Sequence, residues 1–250
     1  MKTVKKALAI LDSFNKESQS QGTTEISKKL GFNKSTTHII LKTLTEENYL
    51  IFDSKTKRYS LGFKPLELAG RITYGRDLRD IALPIMQKLS DTCEEDITLN
   101  ILVEGHRVCI AIAESQSFVR HIIPLGKALP LHCSAAGKVL LAYMDPEKAE
   151  EVIKINGLPK FTSKTITNKK TLLFQLELLR KNGFGESRNE YGKDAAALAF
   201  PIFNGKDELV AALSIQTTIT RLTKSAKRRY VSEGIKAAKT LSRYLIEGLS

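Results

Sequence analysis

The feature that most constrains the fold is a pair of short helical patterns joined by a single glycine near the start of the chain. Thr24 is expected to cap a helix over Glu25–Leu30, and Gly31 ends that helix. A longer helix is predicted from about Asn33 to Glu47, and an amphipathic helix from Thr3 to about Asn15 precedes the pair. This order is typical of a helix-turn-helix, in which the second helix of the pair lies in the major groove of DNA.

The second helix of the pair is expected to have one face in the core and one face on the surface. Its inner face carries four residues at helical spacing, Thr37, Ile40, Leu41 and Leu44. We predict that the outer face of this helix contacts DNA, and that backbone N–H groups at its N-terminal end favour phosphate. The predicted contacts on this helix are Lys34, Ser35, Thr36, His38, Ile39 and Lys42. Thr24, on the preceding helix, is predicted to contact DNA as well. A merely solvated helix would show a similar polar face, so this helix alone does not decide the function.

The segment after that helix is predicted to form a two-stranded wing. Strand-like runs at Tyr49–Phe52 and Arg58–Gly62 flank a polar turn, whereas the polar stretch Asn15–Gly22 is predicted to be a loop. Three basic residues lie at the wing tip, where they can reach phosphates or a minor groove: Lys55, Lys57 and Arg58. Residues 1–62 are therefore predicted to be a winged helix-turn-helix domain that binds double-stranded DNA.

The charge of the chain favours an anionic partner. Its 250 residues include 39 lysine and arginine residues against 27 acidic ones, a formal net charge of +12. Residues 1–62 hold 11 basic and six acidic residues, and the much longer remainder holds 28 and 21, so the positive excess is densest at the front. Many basic proteins merely stay soluble, so the motifs decide this point and the charge supports them.

Several classes of protein are disfavoured by what the sequence lacks. The longest apolar run, Ala195–Phe203, is only half as long as the roughly 20 residues of a membrane span, and the first residues lack a signal-peptide cleavage site. The cysteines and histidines show no CxxC, HxxxH or HExxH spacing. We therefore expect a cytoplasmic protein with no membrane association, no disulfide framework, no metal site and no cofactor.

The remainder of the chain is predicted to be an α+β domain, residues 78–250, reached through a linker helix at residues 63–77. Interruptions of the helical pattern are expected near Gly75 and at Pro84. Antiparallel hairpins are predicted with turns at Glu104-Gly105 and Asn204–Asp207. Four further helices are predicted, Ala135–Met144, Pro146–Asn156, Asn168–Asn182 and Lys224–Leu249.

His132 and Cys133 suggest a base and a nucleophile, the alternative in which the chain is an enzyme. Adjacent residues rarely place a base correctly, and no third orienting group is evident. The same stretch resembles the end of a phosphate loop, but that loop requires glycine at position 132 and serine or threonine where the chain has Val139. We therefore predict no catalytic residues and no enzymatic activity.

The small residues Ser134, Ala135, Ala136 and Gly137 suggest a ligand pocket at the start of a helix. Backbone N–H groups at such a start can bind an anion, and small side chains leave room for it. The same residues would also suit a tight helix start without any ligand. The motif supports the two interpretations equally.

Several stretches together resemble the IclR-type bacterial transcriptional regulators. Residues 24–44 with the wing at 53–62 match that family's DNA-binding domain, and residues 130–142, 183–191 and 199–215 match its effector domain in order and separation. The resemblance implies a winged helix, a linker helix and an effector domain similar to GAF and PAS folds, with an antiparallel sheet flanked by helices. It also implies a homodimer or dimer of dimers that binds a small metabolite, often a carboxylate, and regulates a catabolic operon, more often as a repressor.

Carried over by position, the resemblance implies an effector site formed by Ser134, Ala135, Ala136, Gly137, Ser187, Ala197, Ser214 and Gln216. Three of these depart from the pattern of a small-keto-acid sensor. Ser187 stands where an acid is common, Ala197 where a cysteine is common and Gln216 where a serine is common, so no glyoxylate-like ligand is inferred. Asp194 also replaces a frequent glycine.

The recognition helix departs from the family as well, because Ile39 stands where an arginine is often found. That change favours an apolar contact, such as one to a thymine methyl group, over a bidentate contact to guanine. A further alternative to a ligand-responsive regulator is a winged-helix module whose C-terminal domain only mediates assembly.

Overall fold

A computed structural model describes residues 2–15, 18–71, 76–116 and 124–247, and the chain divides into two compact units, residues 1–74 and 75–250. The predicted linker contributes a short helix to the first unit, and the break expected near Gly75 lies outside the described residues. None of the described helices is long and apolar enough to cross a membrane.

The first unit combines helices with a small antiparallel sheet. Its helices are α1 (Lys2–Asp12), α2 (Thr23–Leu30), α3 (Lys34–Glu46) and α4 (Lys64–Gly70). Its strands are β1 (Gln21–Gly22), β2 (Leu50–Asp53) and β3 (Arg58–Leu61), in the order β1-β3-β2. Ile10, Ile26, Leu41 and Tyr59 meet in one hydrophobic cluster, so the helices and the wing share a core. The predicted winged helix-turn-helix is confirmed.

The start of α2 differs from the prediction, whereas the start of α3 agrees with it. Gly22 is the N-cap of α2, and Glu25 Oε2 accepts a hydrogen bond from Gly22 N at 3.3 Å. Because the helix already begins at Thr23, Thr24 lies exposed inside its first turn, and the expectation that Thr24 caps α2 is wrong. Asn33 caps α3, with its Oδ1 accepting from Ser35 N at 2.9 Å.

The stretch predicted to be a loop contains strand β1. Gln21 pairs with Tyr59 and Gly22 pairs with Arg58, which makes the wing sheet three-stranded. The Gln21 side chain is fully buried, and its Nε2 donates to the carbonyl oxygen of Ser13 at 3.0 Å. The hydrogen bonds of Nε2 compensate the donor side of the amide, whereas Oε1 is buried without a hydrogen-bond partner among the described residues. A polar stretch therefore joins the sheet here with its amide only partly satisfied.

The second unit is built on one six-stranded antiparallel sheet. Its strands are β4 (Asp96–Val103), β5 (His106–Ala113), β6 (Ala128–Leu129), β7 (Gly185–Arg188), β8 (Ala195–Phe203) and β9 (Leu209–Thr218). They lie in the order β6-β5-β4-β9-β8-β7. Its helices are α5 (Arg76–Cys93), α6 (Ala135–Ala142), α7 (Pro146–Asn156), α8 (Lys169–Asn182) and α9 (Lys224–Glu247). The predicted α+β class, both hairpins and the four later helices are confirmed.

Helices cover both faces of this sheet. Helices α5 and α9 cover one face, where Met86, Phe200 and Leu241 are fully buried. Helix α6 covers the other face, with α8 packed against it, and the strand side chains there include Ala197 and Ala199. Small strand side chains let α6 approach the sheet closely, and a cavity remains beside the start of α6.

Helix α5 continues through Pro84, contrary to the break predicted there. A proline inside a helix removes a hydrogen bond and costs roughly 3 kcal/mol. Ala82 and Met86, on either side of it, are fully buried, while Pro84 is exposed. Burial of the helix on both sides of the proline therefore outweighs the lost hydrogen bond.

Candidate functional site

The outer face of α3 is the candidate DNA-contacting surface. The inner face of the helix is buried as predicted, with Thr37, Ile40, Leu41 and Leu44 in the core. The opposite face is exposed at Lys34, Ser35, His38, Ile39 and Lys42, and Thr36 is half-buried. Ile39 is 65% exposed, which leaves a large apolar side chain on this surface with no role in the core.

The wing turn is ordered by Asp53. Its carboxylate accepts hydrogen bonds from Thr56 Oγ1 at 2.7 Å and from Lys55 N at 2.8 Å. These bonds, the one from the Thr56 side chain foremost, lower the pKa of Asp53 because they favour its ionised form. Lys57 adopts a left-handed conformation with φ 57°, and the side chains of Lys55 and Lys57 are both exposed. The turn therefore presents two accessible cations at its tip.

Arg58 differs from the other predicted wing cations because it is tied to the rest of the unit. Its Nη2 lies 2.9 Å from Glu25 Oε2 and also donates to the carbonyl oxygen of Ser20, and its Nε donates to Ser20 Oγ at 3.2 Å. The guanidinium thereby joins β3 to the first turn of α2. Its charge is partly neutralised by Glu25, whereas the charges of Lys55 and Lys57 at the wing tip have no ion pair among the described residues.

A cavity of about 260 Å³ lies beside the start of α6. It is lined by seven of the eight residues predicted for the effector site, namely Ser134, Ala135, Ala136, Ser187, Ala197, Ser214 and Gln216. Strand pairing explains how distant residues meet there, since Ser187 lies opposite Ala197 and Ala197 lies opposite Gln216. The wall of the cavity thus crosses β7, β8 and β9.

Gly137, the eighth predicted residue, does not line the cavity. Its backbone N–H donates to Ser134 Oγ at 3.1 Å, so this amide is not available to an anion. A Cβ at position 137 would lie 2.2 Å from the carbonyl oxygen of Leu131. Gly137 therefore serves the close packing of a tight helix start, contrary to the ligand contact predicted for it.

A chain of hydrogen bonds crosses the sheet on the α6 face and reaches the cavity. Gln216 Nε2 donates to Ser214 Oγ at 2.9 Å and to Thr98 Oγ1 at 3.1 Å. Asn100 Nδ2 donates to Thr98 Oγ1 at 3.0 Å, and Arg107 Nη1 donates to Asn100 Oδ1 at 2.8 Å. The Ser214 hydroxyl in turn donates to a backbone carbonyl. Because these hydrogens are engaged, the β9 wall presents acceptors, above all Gln216 Oε1.

The cavity is also lined by two charged residues that were not predicted from the sequence, Arg107 and Glu190. Glu190 Oε1 lies 2.7 Å from Lys138 Nζ, which also donates to Gln175 Oε1 at 2.8 Å. Lys138 is only 2% exposed. Burial is the largest influence on both partners, raising the pKa of Glu190 and lowering the pKa of Lys138, while their mutual contact opposes each shift.

A signal for part of this site is present in the sequence. Thr98 and Asn100 occupy alternate positions of a strand whose other residues, such as Leu99 and Ile101, are apolar. Alternate positions of a strand face the same side of a sheet, so two polar residues in a buried strand mark a polar interior surface. No comparable pattern marks Glu190, which lies in the segment after β7.

The side chain of His132 is engaged away from Cys133. His132 Nε2 lies 3.0 Å from the carbonyl oxygen of Pro159, so this nitrogen carries a proton and donates it to that carbonyl. Burial lowers the pKa of His132 and raises the pKa of the Cys133 thiol to about 12. The thiolate is the reactive form of cysteine, and Cys133 remains a thiol at neutral pH. Within the described ranges, no group of three or more histidine, cysteine or acidic residues is placed to hold a metal ion.

Comparison with known proteins agrees with both halves of this architecture. Residues 3–54 match the IclR helix-turn-helix domain, and residues 71–243 match the C-terminal domain of the bacterial transcriptional regulator IclR. The chain belongs to the IclR family. It is accordingly a helix-turn-helix transcriptional regulator, and the resemblance inferred from the sequence is confirmed.

Relatives and solved structures in the IclR family cover nearly the whole chain. The transcriptional regulator KdgR of Dickeya chrysanthemi is 32% identical over 96% of this chain and 78% of its own length. The transcriptional repressor AllR of Escherichia coli K12 is 32% identical over 92% of this chain and 84% of its own length. The crystal structure of Thermotoga maritima IclR has a TM-score of 0.81 at 28% identity, covering 98% and 99% of the two chains. An IclR homolog from Microbacterium hydrocarbonoxydans, crystallised with 4-hydroxybenzoate, has a TM-score of 0.83 at 23% identity. The match covers 97% of this chain and 98% of the homolog.

Proposed function

We propose that this regulator binds double-stranded DNA through residues 1–62, and that a small polar metabolite in the cavity of residues 78–250 changes that binding, with residues 63–77 as the linker. The observation that carries the ligand half is the cavity itself. It gathers seven predicted positions around about 260 Å³ of space, against a hydrogen-bonded polar wall. We further propose that it acts as a repressor of a catabolic operon in the cytoplasm.

The proposed DNA contacts are the exposed residues of α3 and of the wing. Exposed lysines at Lys34, Lys42, Lys55 and Lys57 support phosphate contacts, and Ser35, Thr36, His38 and Ile39 supply groups for base edges. Thr24, exposed in the first turn of α2, is a proposed backbone contact. Arg58 is proposed to position the wing rather than to bind phosphate.

A homodimer, or a dimer of dimers, is proposed because one recognition helix touches too few base pairs for useful specificity. Large apolar side chains that are exposed on the first unit support a partner surface there, namely Val4, Leu8, Phe63 and Leu66. Such a dimer would read a near-palindromic site. Light scattering of the operator complex tests this, and a tightly bound monomer would contradict it.

Operator selection tests the proposed function most directly. Purified protein should retain specific fragments of genomic DNA, and sequencing them identifies both the operator and the neighbouring genes. Operator affinity, measured by fluorescence anisotropy, should then change with a metabolite of the enzymes those genes encode. Identical affinity across the whole panel would favour the alternative in which the second unit mediates assembly only.

The absence of catalysis is also part of the proposal. The protonated Cys133 thiol and the engaged His132 support it. A Cys133→Ala variant should keep its operator affinity and its metabolite response. Turnover of a metabolite that disappears in this variant would instead support an enzyme.

A further inference from the structure

A groove of about 600 Å³ lies on the second unit between α8, β7 and the start of α9. In the described parts of the chain it shares only Glu190 with the lining of the cavity beside α6. The α8 residues that line it recur at helical spacing from Thr171 to Asn182, so they form one face of about three turns. Strand β7 is the edge of the sheet, and among the described strands it pairs only with β8. The groove is therefore an open surface that neither proposed binding site uses.

Two large apolar side chains of α8 are exposed in this groove. Phe174 is 66% exposed and Leu178 is 46% exposed, and their spacing of four residues puts them on the same face of the helix. Neither belongs to a hydrophobic cluster of the described residues, whereas Leu172 and Leu176, on the opposite face, are buried. One isolated apolar residue on a surface is ordinary, but two neighbours beside a groove form an apolar strip that suits the apolar face of a partner.

The charges that line the groove do not balance. Glu186 is shared by two cations, with its Oε1 2.5 Å from Arg188 Nε and its Oε2 paired with Lys227 Nζ. The other two charged lining residues, Lys138 and Glu190, already form a pair of their own. The described lining therefore holds three cations and two carboxylates. Because Arg188 and Lys227 are partly exposed, one further carboxylate from a partner can pair with them.

Gln175 adds a hydrogen-bond donor to this surface. Its Oε1 accepts from Lys138 Nζ at 2.8 Å, and because an ammonium group can only donate, the oxygen of the amide must face Lys138. The amide nitrogen Nε2 then has no acceptor among the residues that the structure describes. A donor and excess positive charge beside an apolar strip favour a partner that combines acceptors, negative charge and apolar side chains.

We propose that this groove docks an acidic amphipathic helix of a partner protein. The apolar stripe of that helix packs against Phe174 and Leu178, and a carboxylate beside the stripe pairs with Arg188 and Lys227. A helix suits the site because its apolar residues recur every three or four positions, which matches the one-turn spacing of Phe174 and Leu178. An extended strand finds little to pair with, since β7 has only four residues. Duplex DNA supplies phosphates but no apolar side chain.

Fluorescence anisotropy of the full-length protein with labelled peptides tests this proposal. The probe is a peptide of about 15 residues, near the shortest length that forms an isolated helix, with a leucine stripe and glutamate at the other positions. One control peptide replaces leucine with alanine, and the other replaces glutamate with lysine. The probe should bind more tightly than either control by about tenfold or more. Equal binding of the probe and the alanine peptide, or no binding of the probe, would overturn the proposal.

Variants of the protein locate the probe in the groove. Phe174→Ser with Leu178→Ser should weaken probe binding by about tenfold or more, because the contact loses its apolar area. Arg188→Met should weaken it by about two- to fivefold, the range for a partly exposed ion pair. The matched controls are Ile155→Ser and Lys154→Met, which remove an exposed apolar residue and an exposed lysine of α7 outside the groove. Both controls should bind the probe as the wild type does.

The same variants exclude other occupants of the groove. Light scattering without peptide should give equal molar masses for the wild type and for Phe174→Ser with Leu178→Ser. A smaller mass for that variant would make the groove an interface between copies of this chain. Arg188→Met should keep its operator affinity, and a loss would assign the groove to DNA. Either result, or probe binding that survives all the groove substitutions, would refute the proposal. Circular dichroism checks that each variant is folded.

Discussion

The DNA-contacting surface and the cavity gather their residues in opposite ways. The surface is built from one continuous stretch, α3 and the wing, whose basic side chains point into solvent. The cavity is lined from six elements, β5, β6, α6, β7, β8 and β9, and its polar side chains bond one another or residues of the adjacent strand β4. An exposed charge needs no fixed partner, whereas each buried polar group does. The two sites should therefore respond very differently to the loss of one side chain.

The two ion pairs of these regions make the contrast concrete. The side chains of Arg58 and Glu25 are 41% and 49% exposed, whereas those of Lys138 and Glu190 are 2% and 9% exposed. Water solvates the members of the first pair if the pair breaks. The second pair lies where water cannot replace a lost partner.

Lys138→Met gives the largest expected effect on stability. It leaves the Glu190 carboxylate buried without its cation, which should lower the free energy of unfolding by about 3–5 kcal/mol. Chemical denaturation followed by circular dichroism measures this loss. The double variant Lys138→Met with Glu190→Gln removes both charges and should recover much of the stability; no recovery would mean that packing, and not charge, explains the loss.

The loss in Lys138→Met should also depend on pH. Burial raises the pKa of Glu190 above its ordinary value of 4.5, and removing Lys138 removes the contact that opposes this shift. A carboxyl whose pKa is raised in the folded state favours folding below its ordinary pKa, and this contribution is lost as the pH rises through the folded-state pKa. The deficit of the variant should therefore shrink as the pH is lowered towards 4.5.

These two regions also differ in how far sequence reasoning reaches. The α3 face follows from helical periodicity within a few turns, so Thr37 and Leu41 are assigned to the core correctly. The small residues at the start of α6 suggest one part of the cavity from local sequence. The four predicted cavity residues on the strands follow from resemblance to a family, because nothing local shows that Ser187 and Gln216 approach one wall. Arg107 is not predicted to line the cavity, because its side chain is held there by a hydrogen bond to Asn100 on the neighbouring strand.

Other misses have local physical causes. Pro84 does not end α5, because burial on both sides of it outweighs one lost hydrogen bond. The role of Gly137 depends on the carbonyl of Leu131, a contact that no spacing rule reveals. The ion pair of Arg58 is not foreseen because its partner Glu25 lies in another element, and the DNA contact of Arg58 stays a prediction.

Ala136→Leu should separate the two regions functionally. Ala136 lines the cavity and is buried, so a leucine there fills the ligand space and overpacks the wall, at a cost of about 1–3 kcal/mol in stability. Calorimetry should detect no binding of the metabolite that alters operator affinity, while operator affinity without that metabolite stays close to that of the wild type. Unchanged metabolite binding would place the ligand site elsewhere.

Replacing Lys55 and Lys57 by alanine should affect only DNA binding. If each lysine displaces one counterion from a phosphate, the slope of log affinity against log salt should become shallower by about two. Fluorescence anisotropy between low and high salt measures the slope. Lys206→Ala with Lys239→Ala, which removes two lysines of the second unit, is the control for net charge. An unchanged slope in the wing variant would remove the wing tip from the DNA interface.

Arg58→Met should have the smallest effect and bears most closely on the contrast between the regions. Because the pair with Glu25 is about half exposed, its loss should lower the free energy of unfolding by only about 0.2–1 kcal/mol. Glu25 already neutralises much of the charge of the arginine, so Arg58→Met should change the salt slope of operator binding by less than Lys57→Ala does.

Glu25→Gln tests the same reasoning in reverse, because it releases the guanidinium and should steepen the slope. A slope that falls by a full unit in Arg58→Met would mean that phosphate displaces Glu25 from Arg58 in the complex. The ion pair would then belong to the free protein, and Arg58 would rejoin the exposed cations of the wing.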